Sequence, residues 1–226
     1  MKHGEGGNSS RGPDVTDVEI VPLHLPGCLR LPPNPFGIVV FAHGSGSSRL
    51  SPRNVYVAEA LGRTGLGTLL FDLLSPDEEL NRANVFNIPL LSRRLTAAVE
   101  WTGEAAQTMG LPMGLFGAST GAAAALVAAA RLGDQVAAVV SRGGRPDLAG
   151  AALEEVRAPT LLIVGGNDTE VIRLNKAAFA RLAGPSQLAI IPGATHLFSE
   201  PGALDAVVEA ARDWFGRYMG REGASG

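Results

Sequence analysis

The chain has 226 residues, 46% of them apolar and 18% charged, which is the usual size and composition of one α/β domain. Its net charge of −3 comes without a basic block, and this argues against nucleic acid as a partner. The one cysteine, Cys28, excludes an intrachain disulfide, and no apolar stretch approaches the ~18 residues that span a bilayer. Because residues 1–13 also lack the apolar core of a secretion signal, we expect a cytoplasmic protein that binds neither membrane nor nucleic acid.

The chain is expected to divide into one domain and two short ends. Residues 1–14, rich in Gly, Ser and Asn, are predicted to be a disordered tail, and residues 220–226 a loose C-terminus. Between them, residues 15–219 contain no internal repeat and no linker that would mark a second domain. We therefore predict a single domain over 15–219.

The first elements are predicted to form an antiparallel hairpin. Residues 15–25 alternate apolar and polar side chains, as in an edge strand. Pro26 and Gly27 indicate a turn, and residues 28–31 the returning strand.

Apolar runs and helical periodicities then alternate along the chain. The predicted strands are 37–42, 68–71, 113–116, 136–140, 159–164 and 187–191. Helices are predicted around 55–61 and over 89–109, 120–132, 170–182 and 201–218, with 77–87 irregular or a short helix. This alternation is typical of a mostly parallel sheet covered by helices on both faces. Ligands bind such sheets at the carboxyl ends of the strands.

A candidate nucleophile follows the strand at 113–116. Gly117-Ala118-Ser119-Thr120-Gly121 has the Gly-x-Ser-x-Gly pattern, which holds a serine hydroxyl clear of the backbone in a tight turn between strand and helix. The alternative is a helix N-cap serine after a glycine-rich turn.

A serine hydroxyl needs a general base, and the chain offers four histidines. His3 lies in the predicted tail and His24 in the hairpin, whereas His43 follows an early strand. His196 follows the last predicted strand, in a loop long enough to reach Ser119. We therefore predict that His196 is the base.

The imidazole in turn needs a carboxylate that fixes its tautomer. Asp168 follows the strand at 159–164 and gives the chain order Ser, Asp, His. Its alternative role is to cap the helix that follows. Asp134 and Asp147 are weaker candidates because neither directly follows a buried strand. Asp72 comes too early for that order and is expected to brace loops or cap a turn.

Two backbone amides are expected to stabilise an oxyanion. The N–H of Thr120 lies directly after the nucleophile at the start of a helix, and Ser45 lies in the glycine-rich loop His43-Gly44-Ser45-Gly46. Read alone, that loop would only be a flexible connection.

Arginines flank two of the loops at this edge of the sheet. Arg49 and Arg53 follow the loop that contains Ser45, and Arg142 and Arg145 flank Gly143-Gly144. We predict that Arg49, Arg142 and Arg145 bind an anionic group of the substrate. Surface pairing of these arginines with Asp and Glu is the alternative.

The whole set resembles an α/β-hydrolase, and most closely a small member of the dienelactone-hydrolase-like family without a cap domain. The resemblance rests on the loop at His43–Gly46, the turn at 117–121, Gly165-Gly166-Asn167-Asp168 and Gly193-Ala194-Thr195-His196, and it extends over residues 15–218. Dienelactone hydrolase itself uses a cysteine nucleophile, whereas position 119 is serine. This departure favours a serine esterase over a dienelactone hydrolase.

The resulting hypothesis is a serine hydrolase that cleaves small carboxylic esters through an acyl-enzyme, as a monomer or homodimer. Such a site needs neither a metal nor an organic cofactor. Thioester or lactone hydrolysis by the same triad is an alternative. A further alternative is a hydrolase-fold protein that binds its ligand without turnover.

Overall fold

The computed structural model describes residues 14–220. The predicted ends, 1–14 and 220–226, lie outside the described residues except for Asp14 and Gly220. Asp14 belongs to the first strand.

One eight-stranded sheet forms the centre of the described chain, in the order β1-β2-β4-β3-β5-β6-β7-β8. The strands are β1 Asp14–Ile20, β2 Leu25–Leu31, β3 Gly37–Ala42, β4 Leu66–Phe71, β5 Met113–Ala118, β6 Ala138–Arg142, β7 Thr160–Gly165 and β8 Ser186–Ile191. Strands β3 to β8 pair in parallel, whereas β1 and β2 form an antiparallel hairpin whose second strand pairs with β4.

Helices connect the parallel strands. They are α1 Pro52–Gly62, α2 Pro76–Glu79, α3 Arg82–Val85, α4 Ile88–Glu104, α5 Thr120–Leu132, α6 Thr169–Phe179 and α7 Ala203–Met219. Two 3₁₀ segments, Gly133–Gln135 and Pro146–Glu155, follow α5 and β6.

The helices cover both faces of the sheet and bury two apolar clusters. On one face α4 and α5 pack on the sheet through residues such as Leu95 and Ala125, and on the other α1 and α7 pack through Leu61 and Phe215. Helix α5 buries ten of its 13 residues, and its many alanines let it lie close to the strands. The mostly parallel, doubly covered sheet with an antiparallel N-terminal hairpin is therefore confirmed.

The turn of the hairpin differs from the prediction. It occupies residues 21–24, and Pro26 and Gly27 lie inside β2 opposite Glu19 and Val18. A Cβ atom on Gly27 would lie 3.0 Å from Val18 Cγ2, so the glycine serves close packing between neighbouring strands and not a turn.

Several element ends also differ, and one of these differences affects the site. Strand β6 runs over 138–142, two residues later than predicted, because its pairing with β7 continues to Arg142 opposite Ile163. Arg142 is thus a strand residue with a fixed backbone. Helices α4 and α6 end at Glu104 and Phe179, earlier than predicted, and the stretch 77–87 contains α2 and α3.

Candidate active site

Ser119 occupies a strained turn between β5 and α5. Its backbone has φ 51° and ψ −120°, a region that L residues rarely adopt. The Ser119 N–H donates to the carbonyl of Arg142 at 3.3 Å, and the Arg145 N–H donates to the carbonyl of Ser119 at 3.1 Å. Although Ser119 is at the N-cap position of α5, its side chain makes no capping hydrogen bond, so the hydroxyl is not used to begin the helix.

Two glycines allow this turn to approach its surroundings closely. A Cβ atom on Gly121 would lie 2.2 Å from the carbonyl oxygen of Ala42, and one on Gly117 would lie 2.4 Å from Cα of Ala122. Neither contact is sterically possible, so both positions require glycine.

His196 and Asp168 form a hydrogen-bonded pair on the loops after β8 and β7. His196 Nδ1 lies 2.7 Å from Asp168 Oδ2, and because the carboxylate is the acceptor, the ring proton is assigned to Nδ1. Nε2 is then free to accept a proton. Asp168 is the N-cap residue of α6, but its side chain makes no capping hydrogen bond, so its carboxylate serves the histidine.

Ser119 and His196 line the same cavity of about 250 Å³ at the carboxyl ends of the strands. Among the described residues, Ser119 Oγ has no hydrogen-bond partner, so the hydroxyl and the imidazole are not hydrogen-bonded to each other. Catalytic hydrogen bonds are often long in free enzymes and shorten when substrate binds. The loops after three different strands thus bring together a serine, a histidine and an aspartate, which are the residue types of a hydrolytic triad.

The loop after β3 contacts the turn at Ser119. A Cβ atom on Gly44 would lie 3.0 Å from Ser119 Cβ, and the Ser45 N–H donates to the Thr120 hydroxyl at 2.9 Å. The Thr120 N–H, in the first turn of α5, has no acceptor within residues 14–220. Ser45 and Thr120 are thus brought together beside Ser119, with the Ser45 amide directed at the Thr120 side chain.

His43 has a structural role near this loop. The residue is 6% exposed, its Nε2 accepts the Leu73 N–H at 3.0 Å, and its Nδ1 donates to the Gly44 carbonyl at 3.0 Å. Burial lowers the pKa of His43 below its usual value, although the Gly44 carbonyl acts in the opposite direction. The buried ring is therefore neutral and already committed to two backbone groups.

Two of the three arginines predicted to bind substrate are engaged elsewhere. Arg49 pairs with Asp72 through its guanidinium, and its backbone N–H donates to the same carboxylate at 2.6 Å. Arg145 forms a two-pronged ion pair with Asp147, at 2.8 and 2.7 Å. Neither Arg49 nor Arg145 lines the cavity. Arg49 and Arg145 thus pair with carboxylates, which is the alternative to substrate binding. Asp72 braces a loop, as expected.

Arg142 does line the cavity, together with Arg53 and Asn54. It is 8% exposed, and its Nη2 donates to Asn54 Oδ1 at 3.1 Å. Burial and the charge of nearby Arg53 lower the pKa of Arg142 to about 10, so it stays protonated at neutral pH.

Sequence reasoning did not identify Asn54 as part of the site. A signal was present, because Asn54 lies three, four and seven residues before Val57, Ala58 and Leu61, which α1 buries. A polar side chain on the apolar face of a helix indicates a buried polar partner, which here is Arg142.

Neither a metal site nor a membrane-crossing helix is found in residues 14–220. No group of three His, Cys, Asp or Glu side chains in this range has an arrangement that could hold a metal ion. None of its helices is long and apolar enough to cross a membrane.

Comparison with solved structures identifies close and distant neighbours. The crystal structure of dienelactone hydrolase from Anabaena variabilis is 53% identical, with a TM-score of 0.89 over 92% of this chain and 99% of that one. Est1E from Butyrivibrio proteoclasticus has a TM-score of 0.76 at 17% identity, over 92% of this chain and 99% of its own. The second likeness shows the fold alone.

Two curated proteins from Mycobacterium tuberculosis strains are 58% identical over 212 residues and are provisionally named phosphoribosyl transferases. The match covers 93% of this chain but 48% of each relative, so the chain spans about half of their length.

The model of the dienelactone hydrolase family matches residues 31–219, which is most of the chain. Together with the 53% identical structure, this match indicates a hydrolase. The chain has the α/β-hydrolase fold and belongs to the dienelactone hydrolase family.

Proposed function

We propose that the protein is a serine hydrolase that cleaves small carboxylic esters through an acyl-enzyme. The observation that supports this most directly is the 2.7 Å hydrogen bond between His196 Nδ1 and Asp168, because it leaves Nε2 as the ring nitrogen that can take the proton of Ser119, and both residues line one cavity. Among the described residues, no competing hydrogen bond occupies the side chains proposed as nucleophile, base and orienting group.

The reaction runs in two halves. The Ser119 oxygen attacks the ester carbonyl carbon while its proton passes to His196 Nε2, and the imidazolium is stabilised by Asp168. The alcohol then leaves with that proton, and the acyl group stays on Ser119. In the second half a water attacks the acyl carbon, gives one proton to Nε2, and releases the acid as Ser119 recovers its proton.

The developing oxyanion is proposed to bind the amides of Thr120 and Ser45. Within residues 14–220 the Thr120 N–H has no acceptor and lies at the positive end of α5, so it is available without rearrangement. The Ser45 N–H is bonded to the Thr120 hydroxyl in the free protein. It becomes the second donor when the substrate oxygen replaces that hydroxyl as the acceptor.

The size of the cavity favours small substrates. Pockets for drug-sized ligands measure roughly 300–1,000 Å³, and this one measures about 250 Å³. Phosphoribosyl transfer, the provisional name of the mycobacterial relatives, is not part of the proposal. The matched residues are those of a hydrolase family, and those relatives are about twice as long as this chain.

Labelling with a fluorophosphonate probe tests the proposal directly. The wild-type protein should be labelled rapidly, and Ser119→Ala should not be labelled at all. Ser199→Ala is a matched control, because Ser199 is exposed and close to His196 in sequence but does not line the cavity. It should be labelled like the wild type. A correctly folded wild type that resists the probe and hydrolyses no p-nitrophenyl ester would contradict a catalytic role and favour ligand binding without turnover.

A further inference from the structure

The cavity that contains Ser119 carries two positive charges without a carboxylate to balance them. Within residues 14–220, Arg53 and Arg142 form no salt bridge, whereas seven other arginines each pair with Asp or Glu. The remaining unpaired arginines in this range are exposed. Arg142 is 8% exposed with its Nη1 buried and unpartnered, and Nε of Arg53 is likewise buried without a partner.

Two adjacent cations at a buried surface are unfavourable by themselves. Removing a guanidinium from water is unfavourable, and the two like charges repel each other in addition. Asn54 accepts one hydrogen bond from Arg142 but carries no charge, so it leaves both charges in place. An anion in the cavity would offset both costs at once.

The first turn of α1 adds further donors at the same position. This helix has 11 residues and begins at Pro52, and its N-cap residue Ser51 makes no side-chain capping hydrogen bond. The backbone N–H groups of Arg53 and Asn54 have no acceptor among the described residues. Free N–H groups at the start of a helix, with the positive end of its dipole, bind anions. Ser47 and Ser51 also line the cavity.

The number of donors distinguishes between classes of anion. A carboxylate offers two oxygens in one plane, whereas a phosphoryl group offers three oxygens and up to two negative charges. Two guanidinium groups, two backbone amides and two serines exceed what a carboxylate can use, and they match the larger charge and the extra oxygens of a phosphoryl group.

We propose that the wall formed by Arg53, Arg142 and the first turn of α1 binds a phosphoryl group, and that the substrate is a small ester that also carries a phosphate. This inference rests on the proposed function, because it places the phosphate in the cavity that contains Ser119. The ester carbonyl then lies at Ser119 while the phosphate is held at α1, and the wall fixes the orientation of the substrate without taking part in the chemical step.

The test is the binding of inorganic phosphate to the full chain with Ser119→Ala, measured by isothermal titration calorimetry. Phosphate should bind, and acetate should bind at least about tenfold more weakly. Adding Arg53→Gln should weaken phosphate binding about tenfold or more. Arg63→Gln is the matched control, since Arg63 is exposed at the other end of α1 and outside the cavity. It should leave phosphate binding unchanged.

A second variant distinguishes weaker phosphate binding from failure to fold. Arg142→Lys keeps the buried charge but not the forked donor, so it should fold and still bind phosphate more weakly than the parent. The proposal is overturned if phosphate does not bind, if acetate binds as tightly as phosphate, or if Arg53→Gln binds phosphate like Arg63→Gln.

Kinetics separates this inference from the proposed function. In the wild type, inorganic phosphate should inhibit the hydrolysis of a small ester that carries a phosphate competitively, because both phosphoryl groups bind the same wall. An enzyme that hydrolyses this ester without inhibition by phosphate would refute the phosphate site and leave the esterase proposal standing. A chain that binds phosphate through Arg53 but has no esterase activity would refute the esterase proposal instead.

Discussion

His43 Nε2 accepts a hydrogen bond from the Leu73 N–H at 3.0 Å, and this bond joins the loop after β3 to the end of β4. A proton on Nε2 would remove the acceptor. Because burial lowers the pKa of His43 in the folded chain, the unfolded chain binds more protons once the pH falls below the usual value of about 6.5. The contribution of His43 to stability is therefore full above pH ~6.5 and is lost as the pH falls below it.

Urea unfolding measured at several values between about pH 5.5 and 7.5 checks this prediction. The free energy of unfolding of the wild type should decrease toward the acid end. His43→Gln lacks the imidazole, so its free energy of unfolding should be lower at neutral pH. Because glutamine does not titrate, that free energy should also depend less on pH in this window. Equal pH dependence in the two proteins would show that His43 does not titrate as described.

Gly121→Ala should be strongly destabilising, by about 3 kcal/mol or more, because the new Cβ atom would lie 2.2 Å from the Ala42 carbonyl. The backbone of β3 cannot move away without disturbing the sheet. Gly216→Ala is the matched control, since it is inside α7 and a Cβ atom there meets nothing within 4 Å. It should increase stability by about 0.5–1 kcal/mol through helix propensity. Thermal unfolding of both variants measures the difference.

Asp168→Asn should reduce kcat by about four orders of magnitude with little effect on the fold. An amide in this position donates to His196 Nδ1, which moves the ring proton to Nε2 and removes the base. Asp134→Asn serves as a control, because Asp134 is exposed and distant from the cavity, and its kcat should equal that of the wild type. If Asp168→Asn kept most of its activity, another group would have to orient His196.

Arg145→Gln should change KM for anionic and neutral esters by the same factor, because its guanidinium is paired with Asp147 outside the cavity. Arg53→Gln should raise KM for a phosphate-bearing ester far more than for a neutral ester of the same size. Steady-state kinetics on such a pair of esters compares the two variants. If Arg145→Gln lost the selectivity for the phosphate-bearing ester and Arg53→Gln kept it, Arg145 and not Arg53 would bind the phosphate.

The position of the site could be predicted from the sequence because one geometric rule governs it. Each polar loop follows a strand that is recognisable as an apolar run, and parallel strands bring their carboxyl ends to one edge of the sheet. Ser119, Asp168 and His196 could therefore be located together without knowledge of the strand order. The rule places residues at an edge, and the direction of each side chain is decided by neighbours distant in sequence.

The arginines illustrate what the sequence could not provide. Arg49 pairs with Asp72, 23 residues away, whereas Arg142 bonds to Asn54, 88 residues away. Both pairings depend on which loops the sheet brings together, and no local pattern separates an arginine held by a carboxylate from one that lines a cavity. The hairpin turn was misplaced for a similar reason, because the glycine at position 27 is required by the side chain of Val18 on the neighbouring strand.

The proposed catalytic residues lie partly at the middle and partly at the edge of the sheet. Ser119 follows β5, which has neighbours on both sides, whereas His196 follows β8, an outermost strand whose residues are only partly covered. Less buried regions unfold locally at a lower free energy than the core, so β8 and the loop that carries His196 should unfold before β5 does. Esterase activity should therefore disappear at a lower urea concentration than the helical circular dichroism signal, and amide protons of β8 should exchange faster than those of β5.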